Sequence, residues 1–193
     1  MRADPVIRAS GGDRFYAGIG SQETPPRVSL AMTGLAHLLW RVGYTLRSGG
    51  AEGADRGFED GVPQHSARQI FIPWVGFLKD PRRERMATLV TRQTCPSYAE
   101  LEALAESHHP GWHNCSDGVR KLHTRNSAQI MGFSANAPVD FVLCWTSNGK
   151  IKGGTGQAMR IAESMNIPVV NLHDEICYER LLAELRETLS AEN

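Results

Sequence analysis

The sequence predicts an α/β fold, a doubly wound and mainly parallel sheet with flanking helices and a helical/loop insertion. Three observations predict it. Short apolar runs alternate with stretches at helical spacing; glycine-rich turns stand where strands hand over to helices; and the composition is that of an ordinary globular domain. The chain has 193 residues, 41% hydrophobic and 22% charged. A chain of this size buries roughly 70% of the surface it exposes when unfolded, enough for a core without metals or disulfides. Residues 1–193 are read as one domain, with 1–13 a loose N-terminal arm and 79–137 an insertion.

Phe15 to Ile19 reads as the first strand, ending at Gly20-Ser21. Thr24-Pro25-Pro26 suits a helix's first turn, and the helix carries Leu30, Leu35, Leu38 and Leu39 close to helical spacing as far as Val42, where Gly43 stops it. Tyr44 to Arg47 is a second strand, the run from Ser48 to Asp55 a glycine-rich turn, and Asp55 to Asp60 opens a helix. Arg68 to Trp74 is a third strand. Helical segments at Tyr98 to Glu106 and Asp117 to Ile130 flank a stretch with no clear period. Regularity returns with a buried strand at Val139 to Trp145, a turn at Gly153-Gly154-Thr155-Gly156, a helix at Gln157 to Met165, a strand at Ile167 to Asn171 and a closing helix at Cys177 to Leu189. Five strands with helices between them give a Rossmann-like sheet.

Three turns each leave a strand and enter a helix: Gly18-Ile19-Gly20-Ser21, Ser48-Gly49-Gly50-Ala51 with Gly53, and Gly153-Gly154-Thr155-Gly156. In an open parallel sheet such turns emerge together at the carboxyl ends of the strands. Glycine lets the backbone approach an anion, and the following helix offers free N–H groups at the positive end of its dipole. One such turn is often only a tight turn; three in one chain point to a phosphate ligand. None has the GxxxxGK[ST] spacing, and none is GxGxxG with an acidic residue about 20 positions on, so neither an ATPase nor an ordinary dehydrogenase is supported and no cofactor is expected.

These residues carry a resemblance. Tyr16-Ala17-Gly18-Ile19-Gly20-Ser21, the run Leu46 to Glu59, Thr124-Arg125-Asn126 and Lys152-Gly153-Gly154-Thr155-Gly156-Gln157-Ala158 together resemble the SMF/DprA–LOG (SLOG) superfamily, over roughly residues 15 to 172 without the middle segment. The resemblance implies a nucleotide-binding domain and three possible roles: a single-stranded DNA-binding module like DNA-processing protein A, a phosphoribohydrolase of the lonely-guy type, or a sensor or sequestering domain for a nucleotide-derived signal. It also implies self-association into a homo-oligomer. In the phosphoribohydrolases the pattern PGGxGTxxE supplies a catalytic Glu; here Lys152 stands at its Pro, Gln157 at its Thr and Arg160 at its Glu.

Cleaving an N-glycosidic bond builds positive charge on the sugar, which a carboxylate stabilises while amides and Arg hold the phosphate. Glu52, Asp55 and Glu59, on or just beyond the second glycine turn, are the catalytic candidates, although Asp55 is equally suited to cap the helix it precedes. The candidate ligand-binding residues are Gly20, Ser21, Arg47, Ser48, Gly49, Gly50, Arg125, Asn126, Gly153, Gly154, Thr155 and Gly156, the two arginines for their bidentate fork.

Other clusters read more plainly. His108, His109, His113 and Cys115 crowd together, but Pro110-Gly111 breaks helical spacing, so no metal site is expected. Trp112 and Trp145 could stack a base, or anchor a loop and end a strand. Lys79, Arg82, Arg83, Arg85 and Arg92 outnumber Asp80 and Glu84, the pattern of a wet basic face. Twenty-one Lys+Arg balance 21 Asp+Glu, so any attraction for polyanions is local. The longest apolar run is short, no secretory h-region opens the chain, and four cysteines without a CxxC pair fit reduced thiols, so a cytoplasmic protein without membrane partners is expected. The reading is a domain that binds a nucleotide or nucleotide-derived ligand, with hydrolysis of a nucleoside monophosphate, single-stranded DNA binding and non-catalytic sensing left open.

Overall fold

The computed structural model describes residues 6–7 and 12–191. Six parallel strands, β1 (Phe15–Gly20), β2 (Thr45–Ser48), β3 (Arg68–Ile72), β4 (Thr88–Leu89), β5 (Phe141–Trp145) and β6 (Val169–Asn171), form one sheet in the order β4-β3-β2-β1-β5-β6. The chain winds outward from β1 to one edge and then returns to lay β5 on the other side of β1. The direction of winding reverses between β1 and β5, where crevices form in such sheets. The fold class is the predicted one, with the two-residue β4 added at an edge.

Side chains alternate across each strand, so each face of the sheet collects its own set. Tyr16, Leu46, Phe141 and Leu143 pack beneath α1 (Pro26–Arg41), α2 (Ala54–Gly61) and α7 (Glu175–Ala191). Ala17, Ile19, Val142 and Cys144 pack with Ile130 of α5 (Asp117–Met131) and with Ala158, Ile161 and Ala162 of α6 (Gly153–Ser164). Pro26 opens α1, and Gly43 at φ 83° turns the chain back into β2. Ser116 caps α5 through a bond from the Val119 amide, and Gly132 at φ 79° ends it.

Three sequence expectations are corrected. The segment 79–137 is not a mere insertion: α5 covers one face of the sheet, α4 (Tyr98–Ser107) packs on α5 through Leu101 and Ala128, and α3 (Pro81–Arg85) precedes β4. The Gly153–Gly156 segment is itself the first turn of α6, not a loop before it, because the extended backbone at Lys152 ends the loop one residue earlier. Of the expected loose arm, Val6 and Ile7 donate their amides to the Glu184 carboxylate on α7 at 2.8 and 3.1 Å, and Ile7 is buried; residues 1–5 and 8–11 lie outside the described residues. Among the described residues no helix is long and apolar enough to cross a membrane.

Candidate functional site

The glycine turns meet by backbone contact. Gly20 ends β1 where an added Cβ would fall 2.6 Å from the Ala54 Cβ and 2.8 Å from the Trp145 carbonyl oxygen. The Ser21 amide donates to the Trp145 carbonyl at 3.3 Å, and the Ala54 amide donates to the Ser21 carbonyl at 3.1 Å. The first turn is thereby tied to the second and to the end of β5. Gly53 makes that junction possible: its φ is 82°, and a Cβ there would lie 2.5 Å from the Ser21 and Gln22 carbonyl oxygens.

Above this junction opens a cleft of about 580 Å³. Its floor is Ile19, Gly20, Ser21 and Gln22 of the first turn with Ala51 and Asp55 of the second; one wall is α5, through His123, Arg125, Asn126 and Gln129. The lining is completed by Thr146, Ser147, Asn148, Lys150 and Lys152 from the loop after β5, and by Gly153, Gly154 and Thr155 of α6. The first-turn amides of α6 have no acceptor within the helix, and no side chain caps them. Asn126 Nδ2 donates to the Gly154 carbonyl at 3.2 Å and fastens α5 to this turn.

The charge of the lining is cationic, with Arg125, Lys150 and Lys152 against Asp55. Arg125 is buried on α5, its Nη1 3.9 Å from Asp55 Oδ2, and its guanidinium occupies the space a Cβ on Gly49 would need. Arg125 Nε and Gln129 Nε2 are buried without a hydrogen-bond partner. Asp55 Oδ2 accepts from the Gly49 and Ala51 amides at 3.1 and 3.3 Å. Burial nevertheless raises its pKa to about 7, against the pull of Arg125 and the two amides, with Glu59 pushing the same way as burial. Burial likewise lowers the His123 pKa, helped by His109, whose ring centroid lies 4.3 Å away with the rings tilted at 55°.

Several predicted residues stand elsewhere. Arg47, the penultimate residue of β2, pairs with Ala17 and faces the α5 side of the sheet, but it does not line the cleft. Its guanidinium lies 3.9 Å over the Phe15 ring, donates to Gln69 at 2.8 Å and bonds the Ala137 carbonyl, so its donors are engaged within the core. Ser48 points to the opposite face, where its hydroxyl donates to Glu59 at 2.8 Å. Glu59 is buried behind the turn and paired with Arg83 at 2.8 Å, while Glu52 is 75% exposed and 3.7 Å from Arg83. Neither acid lines the cleft. Gly49 and Gly50 serve packing, under Arg125 and against Leu78, and Gly156 packs on the Ile151 backbone. Asp55 does not cap α2, whose cap is Gly53.

One solved structure places the architecture among known proteins. The chain shares its fold with DNA processing protein A from Helicobacter pylori. The TM-score is 0.51 over 82% of this chain, at 17% identity, and the match spans 64% of the other chain's length. That protein is described as binding single-stranded DNA in a unique mode. No family model matches this chain, and no curated protein matches it.

Sequence reasoning missed Gln22, His123, Gln129 and the loop Thr146 to Lys150. His123 and Gln129 lie at i−2 and i+4 from Arg125 on α5, so the helical spacing of the Arg-Asn element could have brought Gln129 forward. The loop has no periodic signal and enters the cleft because β5 ends beside β1.

Proposed function

We propose that this protein binds a nucleotide or nucleotide-derived ligand through its phosphate in the cleft at the carboxyl ends of β1 and β5. The observation that carries this reading is the uncapped first turn of α6, opening on the same space as Lys150, Lys152 and Arg125. A phosphate there would gain backbone N–H donors, the helix dipole and charge-assisted bonds at once. The unpartnered Arg125 Nε and Gln129 Nε2 supply donors that a ligand's sugar or base would satisfy after a small side-chain shift.

The reading extends to chemistry through Asp55 alone. Of the three acids considered, it is the one in the lining, and a carboxyl titrating near neutrality is suited to exchange a proton with a leaving base. Titration calorimetry with the nucleoside monophosphates, paired with chromatography for released base, tests both parts. Binding that weakens at least tenfold in Lys152→Glu supports the phosphate site, and base release abolished in Asp55→Asn supports hydrolysis. Binding without release leaves a sensor or sequestering domain; no binding of any monophosphate overturns the reading.

A single-stranded DNA-binding role is the second reading, favoured by the fold shared with DNA processing protein A. It would appear as oligonucleotide binding whose affinity falls steeply with salt as counterions are released.

A further inference from the structure

The segment between β3 and β4 is built against the second glycine turn and turns an unexplained surface to solvent. Four side chains fix it. Leu78 packs where a Cβ on Gly50 would stand, 2.8 Å away. Arg83 donates to the Gly50 carbonyl at 3.1 Å and to Glu59 at 2.8 Å. Glu84 accepts from the Gly76 and Leu78 amides at 2.7 and 3.2 Å, and Asp80 accepts from the Arg82 amide at 2.8 Å. The acids of the segment are thus engaged with its own backbone, whereas Lys79, Arg82 and Arg85 are exposed and in no ion pair among the described residues.

Beside these cations stand apolar groups that the core does not absorb. Val75 is 75% exposed, and Trp74 and Phe77 are half-buried with their rings 5.4 Å apart at 85°. Phe77 lies 5.4 Å from the guanidinium carbon of Arg125, the same Arg125 that lines the cleft. The aromatic loop is thereby joined to a residue of the cleft wall through Phe77, although residues 74–85 do not themselves line the cleft.

We propose that Trp74 and its neighbours form a second nucleotide subsite, contiguous with the cleft, in which a base stacks on the Trp74 indole and the adjoining phosphate meets Lys79, Arg82 and Arg85. Aromatic faces interleaved with unpaired cations are what a nucleotide unit requires, since the base gains from stacking and the phosphate from charge. A protein partner with an acidic apolar strip would meet the same charges, but the continuity through Arg125 favours a ligand already held in the cleft. The proposal rests on the cleft reading and deepens it: the ligand spans at least two phosphate-linked nucleotides, as a free dinucleotide or as part of a strand.

The test compares deoxyadenosine monophosphate, the 5′-phosphorylated deoxyadenylate dinucleotide and its hexamer at one salt concentration, by calorimetry and fluorescence anisotropy. The dinucleotide is expected to bind at least about fivefold tighter than the monophosphate. Trp74→Ala, Val75→Glu and the combined Lys79→Glu, Arg82→Glu, Arg85→Glu variant should each remove that gain while leaving monophosphate binding unchanged. Val75→Glu and the charge variant alter exposed side chains, so they keep the test alive if Trp74→Ala unfolds. Affinity that plateaus at the dinucleotide identifies a free dinucleotide ligand, and affinity that rises to the hexamer identifies a strand; both support the subsite. Equal binding of monophosphate and dinucleotide, or a gain that survives all three variants, overturns the subsite while the cleft reading stands. Absence of binding by all three ligands overturns both.

Discussion

Arg47 and Arg125 are both buried arginines next to glycine turns, yet they do different work. Arg125 sits on α5 with its guanidinium at the cleft and Asp55 3.9 Å away, whereas Arg47 is spent on Phe15, Gln69 and Ala137 inside the sheet. Asp55 yields a pH prediction. Its pKa is about 7 in the folded protein against 3.8 for a solvated aspartate, so between about pH 4 and 7 the folded state binds the proton that the unfolded state has released. Stability should fall as pH rises through that window and level off above it. In Asp55→Asn this contribution vanishes and the stability profile should flatten between pH 4 and 7, as read from urea unfolding at a series of pH values. A variant profile parallel to that of the wild type would show that Asp55 ionises normally. Asp55 was legible as important because it follows a glycine turn; its role was not, because capping and cleft lining use the same residue type at the same place. Arg47 was misread for a related reason: it takes the α5 face, but the sequence does not show that Phe15, Gln69 and the Ala137 carbonyl occupy its guanidinium there.

The elements around the second turn act as one unit. α3 grips that turn through Arg83, which is 18% exposed and holds Glu59, a carboxylate only 5% exposed, together with the Gly50 carbonyl. Arg83→Ala leaves Glu59 buried with Ser48 as the remaining hydrogen-bond partner of its carboxylate among the described residues. The expected loss is about 2–3 kcal/mol, reduced from that of a fully buried pair by the solvent that reaches Arg83, and denaturant unfolding measures it. A change below about 0.5 kcal/mol would mean that α3 does not hold the turn. Neither α3 nor β4 was legible as an element. β4 has two residues, and its place is set by tertiary pairing to Phe71 and Ile72 and by the Val90 amide bond to the Ile72 carbonyl, none of which leaves a periodic trace. The start of α6 was read four residues late because glycine weakens a helix interior. In the first turn, where the amides lack internal acceptors in any case, that penalty is offset at Gly153 by its φ of 60°, which glycine adopts without strain. α1 was legible because apolar spacing and end signals agreed, and β5 because its apolar run is unbroken.

At the scale of the molecule, 21 positive and 21 negative residues leave no overall field, yet the cleft gathers three cations and one carboxylate. The doubly wound topology produces that asymmetry: by reversing its winding between β1 and β5, it brings a turn from early in the chain and a helix start from late in it to one rim. The convergence of distant turns was readable from strand-turn-helix order alone; the contribution of α5 was read only through Arg125 and Asn126, and His123 and Gln129 were missed because that helix follows the least periodic stretch of the chain. Function here depends on whether the first turn of α6 receives a phosphate. Amide chemical shifts of the 15N-labelled protein, followed while a nucleoside monophosphate and then the matching nucleoside are added, measure this most directly. Large, saturable shifts are expected at Gly153, Gly154 and Thr155 with the monophosphate, and none at those amides with the nucleoside. Equal shifts with both ligands, or shifts confined to residues outside the cleft, would contradict a phosphate site on α6.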